Sequence, residues 1–245
     1  MFCMSRATVL ASLLSMTLLC PADFVKANNG GVHGPNVNAD THSAEFRMNT
    51  TNSDDNTDGR EQYRVHYQRA FNDRLQVRMV LQYRDFGSVE YDNVKAEFLY
   101  NYKKASSDNY AAAVRIDART RRGQRPEDIA IHWTHQYNID KSLFVRGIAI
   151  LDKNITENGA GEKPTTIASR FSITKRLNNG LMIGAEMYNN YGELNDISDS
   201  NEQRHQLGPT IMYSQDGWYI YGRYLSGLTS ATSDHNVSLR IGKRF

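Results

Sequence analysis

Basic residues recur at alternate positions of short segments, and this spacing is the main chemical feature of the sequence. They are Arg47, Arg64, Arg78, Arg84, Lys95, Lys103, Arg115, Arg119, Arg146, Arg170, Arg223, Arg240 and Arg244. A guanidinium offers two parallel N–H donors and keeps its charge, so arginine binds carboxylates well. The same faces carry only Glu45, Glu97, Asp117 and Glu186. The pattern predicts a surface that attracts anions, unless these bases serve only to pair with the acids and with strand carbonyls.

Apolar residues fill the positions between these charges and predict the elements that carry them. Leu75, Val77 and Met79, for example, alternate with Gln76 and Arg78. Successive side chains of a β-strand point to opposite faces, so each such segment has one apolar and one polar face. Twelve strands are predicted, at residues 42–49, 62–68, 75–84, 94–103, 112–119, 129–137, 143–151, 167–174, 181–190, 206–213, 218–225 and 236–245. Ten strands would follow if one of the less regular pairs in the second half were misassigned.

The connections between these segments alternate in length. Short ones follow the even-numbered strands, at residues 72–74, 106–109, 140–141, 178–180 and 215–217. Longer polar ones follow most odd-numbered strands, at residues 50–61, 85–93, 120–128, 152–165 and 192–204. Short periplasmic turns, longer extracellular loops and an even strand count are typical of bacterial outer-membrane barrels. The predicted fold class is therefore all-β, a transmembrane antiparallel up-and-down β-barrel over residues 42–245.

The N-terminus predicts export. Arg6 precedes an apolar run over residues 7–19, and Val25 and Ala27 suit the −3 and −1 positions of a cleavage site. Residues 1–27 are therefore predicted to be a signal peptide, and residues 28–41 a flexible periplasmic leader. Both cysteines, Cys3 and Cys20, fall within the signal, which excludes disulfides and cysteine chemistry from the mature chain.

The C-terminus and the aromatic residues favour a Gram-negative cell outer membrane as the location. Val237, Leu239, Ile241 and the terminal Phe245 alternate, as in the sorting signature of such barrels, although Lys243 departs from it. Aromatic residues also lie near predicted strand ends, as in the aromatic girdles of membrane barrels. The expected partners are outer-membrane lipid and lipopolysaccharide, the outer-membrane assembly machinery and small anionic solutes. A monomer is expected.

Three runs of sequence resemble a known family. Residues 44–47 (AEFR), 63–72 (YRVHYQRAFN) and 75–84 resemble the start of the oligogalacturonate-specific small porins, a family that also includes a sialic-acid channel. The resemblance implies a twelve-stranded monomeric barrel whose lumen binds acidic sugars, with Arg47, Arg64, Arg78 and Arg84 as lumen positions. Residues 206–209 and 227–229 look more like other, uncharacterised proteobacterial barrels, which leaves the uronate substrate open.

The functional prediction is a porin-like channel for passive diffusion of small anionic solutes, with acidic oligosaccharides as one candidate. The pore-lining and substrate-binding residues are expected to be Arg47, Arg64, Arg78, Arg84, Lys95, Arg115, Arg119, Arg146, Arg170 and Arg240. The alternative is a non-conducting barrel that acts as an adhesin or structural protein through its long loops. A plug of side chains such as Phe144, Ile148, Tyr188 and Tyr221 would favour that alternative. If the protein were instead a soluble ligand-binding barrel, the apolar faces would point inward and the basic faces outward.

Other functions have weaker support in the sequence. No GxSxG or HExxH pattern is present, and neither His66 nor His132 has a serine partner, so no enzyme activity or catalytic residue is predicted. Asp54, Asn56, Asp58 and Gly59 match the start of a calcium loop, but its last ligand position is Val65, so no metal or other cofactor is expected. The bases interleave within strands rather than form a surface stripe, so no nucleic-acid partner is expected.

Overall fold

A computed structural model describes residues 31–51, 60–85, 87–105, 109–123, 125–157 and 163–245 of the chain. The predicted signal peptide and the partial calcium motif at residues 54–59 lie outside the described residues. None of the described residues forms a helix that is long and apolar enough to cross a membrane.

Within these described residues, the segments of alternating sequence form thirteen strands, of which twelve are long. They are β1 (His42–Thr51), β2 (Arg60–Ala70), β3 (Leu75–Asp85), β4 (Val89–Lys103), β5 (Tyr110–Arg121), β6 (Asp128–Asn138), β7 (Leu143–Asn154), β8 (Thr165–Arg176), β9 (Leu181–Glu193), β10 (Asp196–Ile197), β11 (Arg204–Gln215), β12 (Trp218–Gly227) and β13 (His235–Arg244). The two-residue β10 pairs with β9 within a loop. The other twelve confirm the predicted strand count.

These twelve strands form one closed antiparallel sheet. Each pairs with its neighbours in the chain, and β13 pairs back onto β1, where Arg47 lies opposite Arg240. Closure satisfies the backbone hydrogen bonds of both edge strands, which is the condition for a sheet to span hydrocarbon. The register also brings Arg47 opposite Arg64 on β2, so basic residues from three strands lie side by side on the inner face.

The short turns have residues suited to tight reversals. Asp216 and Gly217 between β11 and β12 both have positive φ, 51° and 78°, as a type I′ hairpin turn requires. Lys243 lies beside this turn and donates a hydrogen bond to the carbonyl of Asp216 at 2.7 Å, which explains how a charge is tolerated at its outward position. In the turn after β6, a hydrogen bond from the Ser142 hydroxyl lowers the pKa of Asp140.

The outer face of the sheet is apolar along the middle of the strands. Phe46, Ile116, Ile131, Trp133 and Phe171 are each between 44% and 52% exposed. A continuous exposed band of this kind around a protein requires hydrocarbon rather than water as its surroundings. Outward aromatic residues lie towards the short-turn end, including Tyr102, Tyr137, Tyr213 and Trp218. The protein is therefore a transmembrane β-barrel with its polar faces turned inward.

We predict that a charge on the outer face destabilises the barrel according to its depth. Ile116→Arg, at mid-strand, should lower the free energy of unfolding by about 2–4 kcal/mol, the usual cost near the bilayer midplane. Ile183→Arg should cost at most about 1 kcal/mol, because Ile183 lies at the level of the outward Lys175 near a strand end. Denaturant unfolding in phospholipid vesicles measures both, and equal costs would contradict this membrane position.

Candidate functional site

The structure places all ten basic residues predicted to line a pore on the inner face of the barrel. Nine of them surround a cavity of about 380 Å³ towards the long-loop end, which we call the outer chamber: Arg47, Arg64, Arg78, Arg84, Lys95, Arg115, Arg119, Arg170 and Arg240. The tenth, Arg146, lines a second cavity of about 520 Å³ towards the short turns, the inner chamber. Strand alternation therefore brings nine sequence-distant bases around one space.

Two carboxylates organise the charges in the middle of the barrel. Glu97 makes ion pairs with Arg78, Lys95 and Arg115, the last at 3.4 Å. Asp117 accepts hydrogen bonds from Lys95 at 3.1 Å and from Arg115 at 2.8 Å. These five side chains are at most 13% exposed, so each charge depends on its partners for the stabilisation that water would otherwise provide.

Three further carboxylates, predicted from the sequence to lie in loops, belong to the wall of the barrel. Asp92 pairs with Arg84 at 2.9 Å and also with Arg125. Asp128 pairs with Arg119 at 3.1 Å and with Arg121 at 2.5 Å. Asp152 lies 3.6 Å from Arg119. They were missed because the strands extend beyond their predicted ends. Continuing the inward phase would have found positions 128 and 152, whereas Asp92 lies at a β-bulge that shifts the register between β3 and β4.

Among the ten basic residues predicted to line a pore, Arg146, Arg170 and Arg240 make no carboxylate ion pair with a described residue. Aromatic faces and neutral acceptors contact them instead. The guanidinium of Arg240 lies 4.2 Å from the ring centre of Tyr221, and that of Arg146 lies 4.6 Å from Phe144. Cation–π contacts of this kind partly stabilise a charge but leave its N–H donors available. The lumen therefore keeps a positive excess after its ion pairs are formed.

Residues 31–41 run inside the lumen, from the short-turn end to about half its height; we call them the N-terminal segment. Asn101 donates to the carbonyl of Pro35 at 2.7 Å, and Arg170 donates to the carbonyl of Gly31 at 3.2 Å. The expected position was a leader in the periplasm. The location differs because the wall offers donors to the backbone of this segment and apolar surface to its two valines.

Apolar patches on the inner face mark where the N-terminal segment packs. Val32 belongs to a buried cluster that also contains Ile148, Ile150, Tyr188 and Leu225. Val37 belongs to another, with Ala70, Leu99 and Ala113. These contacts explain why residues 143–151 are apolar on both strand phases: one face meets lipid and the other meets the segment.

His33 anchors the inner end of the segment. Its Nδ1 lies 3.0 Å from Arg115, and its Nε2 lies 2.8 Å from the hydroxyl of Thr134. Arg115 also contacts Asp117, so His33 joins the network of mid-barrel charges. The sequence pattern did not predict a role for His33, because this residue precedes the first strand and lies outside the alternating segments.

Two glycines let the segment approach arginines closely. A Cβ at Gly31 would lie 2.7 Å from the Nη1 of Arg240, and one at Gly34 would lie 2.9 Å from the Nη2 of Arg146. Only a residue without a Cβ fits at these two positions, so the segment can lie against Arg240 and against Arg146. It thereby separates the two chambers. Val32, His33, Arg78 and Arg240 line both chambers, so any passage between them runs past these side chains.

The closed twelve-stranded sheet, the charged lumen and the apolar outer face together define a barrel of the bacterial outer membrane. Its structure is similar to that of an outer-membrane channel from Pseudomonas putida F1, with a TM-score of 0.70 and 8% sequence identity over 90% of this chain and 100% of that one. It is also similar to the NanC porin, with a TM-score of 0.58 and 12% identity over 83% of this chain and 98% of that chain. The sequence matches no family model and no curated protein.

We predict that the central carboxylates are essential to stability. Asp117→Asn removes one charge of a buried network and leaves Lys95 and Arg115 sharing Glu97, so unfolding should become easier by about 3–5 kcal/mol. Asp73→Asn, at an exposed ion pair with Lys104 in a turn, is the matched control and should leave stability unchanged. Vesicle unfolding and heat-modifiable gel mobility report the difference; a tolerant Asp117→Asn barrel would rule out a supporting role for the network.

Proposed function

We propose that this barrel is a channel for the passive diffusion of small anionic solutes across the outer membrane. One observation carries the proposal: the described residues that line the outer chamber include nine lysines and arginines but only three carboxylates. Rings of one charge sign in a narrow lumen favour permeant ions of the opposite sign. The fold likeness to an outer-membrane channel and a porin supports the channel class, and the choice of anions follows from the charges.

The positive charges suit transport because many are held in place by partners. Arg78, Lys95 and Arg115 are fixed by Glu97 and Asp117, so they shape the potential of the lumen rather than each binding a solute tightly. Permeation requires binding that is strong enough for entry and weak enough for release. Arg146, Arg170 and Arg240 are the residues that we assign to direct contact with the solute.

We also propose that residues 1–27 are removed during export, which mass spectrometry of the mature protein tests.

Planar-bilayer recordings of the purified barrel test the proposal. In a tenfold gradient of potassium chloride, we expect a reversal potential with the sign set by chloride. Replacing Arg170 and Arg240 together with glutamine should shift that potential towards zero, because two positive charges leave the lumen. A wild-type reversal potential with the sign set by potassium would overturn the anion preference while leaving a channel.

A second candidate, a non-conducting barrel, is favoured by the contents of the lumen. Ile148 and Tyr188 are buried against Val32, and the N-terminal segment lies between the chambers. Such a barrel would act through its long loops as an adhesin or structural protein. Conductance of the wild-type protein separates the two candidates.

We predict that deleting residues 31–38 increases single-channel conductance several-fold, because the segment occupies the cross-section between the chambers. The measurement is conductance at fixed salt, with heat-modifiable gel mobility showing that the shortened barrel is folded. Unchanged conductance would place the ion path away from the segment. Absence of conductance in both proteins would favour the second candidate.

A further inference from the structure

Arg170 and Arg240 reach the same residue of the N-terminal segment from different strands. Arg170, on β8, donates to the carbonyl of Gly31 at 3.2 Å. Arg240, on β13, lies against Gly31 so closely that a Cβ there would be 2.7 Å from its Nη1. Two guanidinium groups from separate parts of the wall therefore flank one backbone position.

Both groups retain capacity to bind an anion. Across the described ranges, no carboxylate pairs with either guanidinium, and the buried Nη2 of Arg240 has no hydrogen-bond acceptor. Arg170 donates its hydrogen bond to the neutral carbonyl of Gly31. A hydrogen bond in which both donor and acceptor are charged would be stronger, since charge-assisted hydrogen bonds are roughly twice as strong as neutral ones. An anion that reached this position would complete the hydrogen bonds of Arg240 and compete with Gly31 for Arg170.

We propose that Arg170 and Arg240 form a binding site for a small oxyanion that carries more than one negative charge, and that this ligand replaces the Gly31 carbonyl on Arg170. The proposal deepens the proposed function, on which it rests for the route of entry, by naming the site and the class of solute. It departs from the acidic oligosaccharides that the sequence resemblance suggests.

The size and chemistry of the outer chamber favour a small, densely charged ligand. Its volume of about 380 Å³ lies near the lower end of the ~300–1,000 Å³ typical of ligand pockets. Apart from the backbone of Gly31, its only non-polar lining is Val32 and Ile150, and no Phe, Tyr or Trp is among its described lining residues. The C–H faces of a sugar ring would find little apolar surface here, whereas a compact tricarboxylate or phosphate can be bound by charged donors alone.

Length gives a second argument against an oligosaccharide. The N-terminal segment separates the outer chamber from the inner one, so a chain of several sugars cannot lie along the lumen while the segment is in place. A single small ion fits within the outer chamber. By taking Arg170 from Gly31, it also removes one of the hydrogen bonds that hold the segment. Other polar contacts that hold the segment are at His33, Pro35 and Thr41.

Calorimetric titration of the folded, detergent-solubilised barrel tests the site without requiring conductance. The probes are citrate, inorganic phosphate and trigalacturonate at low ionic strength. We expect citrate or phosphate to bind more tightly than trigalacturonate, and the tighter of the two identifies the oxyanion. Arg170→Gln and Arg240→Gln should each weaken that binding roughly 10–100-fold, the value of one hydrogen bond between charged groups.

Arg121→Gln is the matched control. It removes one positive charge from the wall beside the outer chamber, and Asp128 keeps Arg119 as a partner, so binding should weaken less than threefold. Hydrogen exchange of the backbone amides at residues 31–34 should accelerate on binding in the wild-type protein and not in Arg170→Gln.

Tighter binding of trigalacturonate, or equal losses in all three variants, would overturn the site. Oxyanion binding by a barrel that does not conduct would instead leave the site intact and overturn the channel proposal.

Discussion

Strand alternation in a closed sheet is the constraint on which the rest of this structure depends. Along the middle of the strands every second side chain must face hydrocarbon, so charge there is forced into the lumen, and outward charges such as Lys175 and Lys243 lie near strand ends. The fold therefore concentrates bases that are scattered along the sequence. Arg47, Arg64 and Arg240 are far apart in the chain, yet the register places them side by side on three adjacent strands.

Concentrating charge in this way creates an energetic problem that the carboxylates solve. Buried bases repel each other, and Glu97 and Asp117 each join more than one of them into a shared network. Such sharing fixes side-chain positions with fewer acids than bases, so the lumen stays positive and ordered at once. The charge that remains is localised where aromatic rings, rather than acids, contact arginine, at Tyr188 and Tyr221.

The sequence predicts the wall of this barrel well and its contents poorly, for physical reasons. Period-two alternation and turn chemistry are local, so the twelve strands, the phases of the first six and the alternation of loop lengths could be predicted from the sequence. The inward Phe144, Ile148 and Ile150 blurred the phase of β7, because that strand is apolar towards lipid and towards the segment. Asp92, Asp128 and Asp152 were missed at strand ends, where polar residues are equally typical of loops.

The N-terminal segment shows why a lumen cannot be deduced from its wall alone. Its sequence is rich in glycine and asparagine with no period, which is also the composition of an unstructured linker. What holds it is non-local: donors from Asn101 and Arg170 to its carbonyls, and apolar patches on three or more strands around its two valines. Apolar residues that face inward in an otherwise charged lumen indicate that such a segment packs against the wall. Since lipid cannot reach them, they require a partner from within the chain, and in this barrel the glycine-rich N-terminus supplies it.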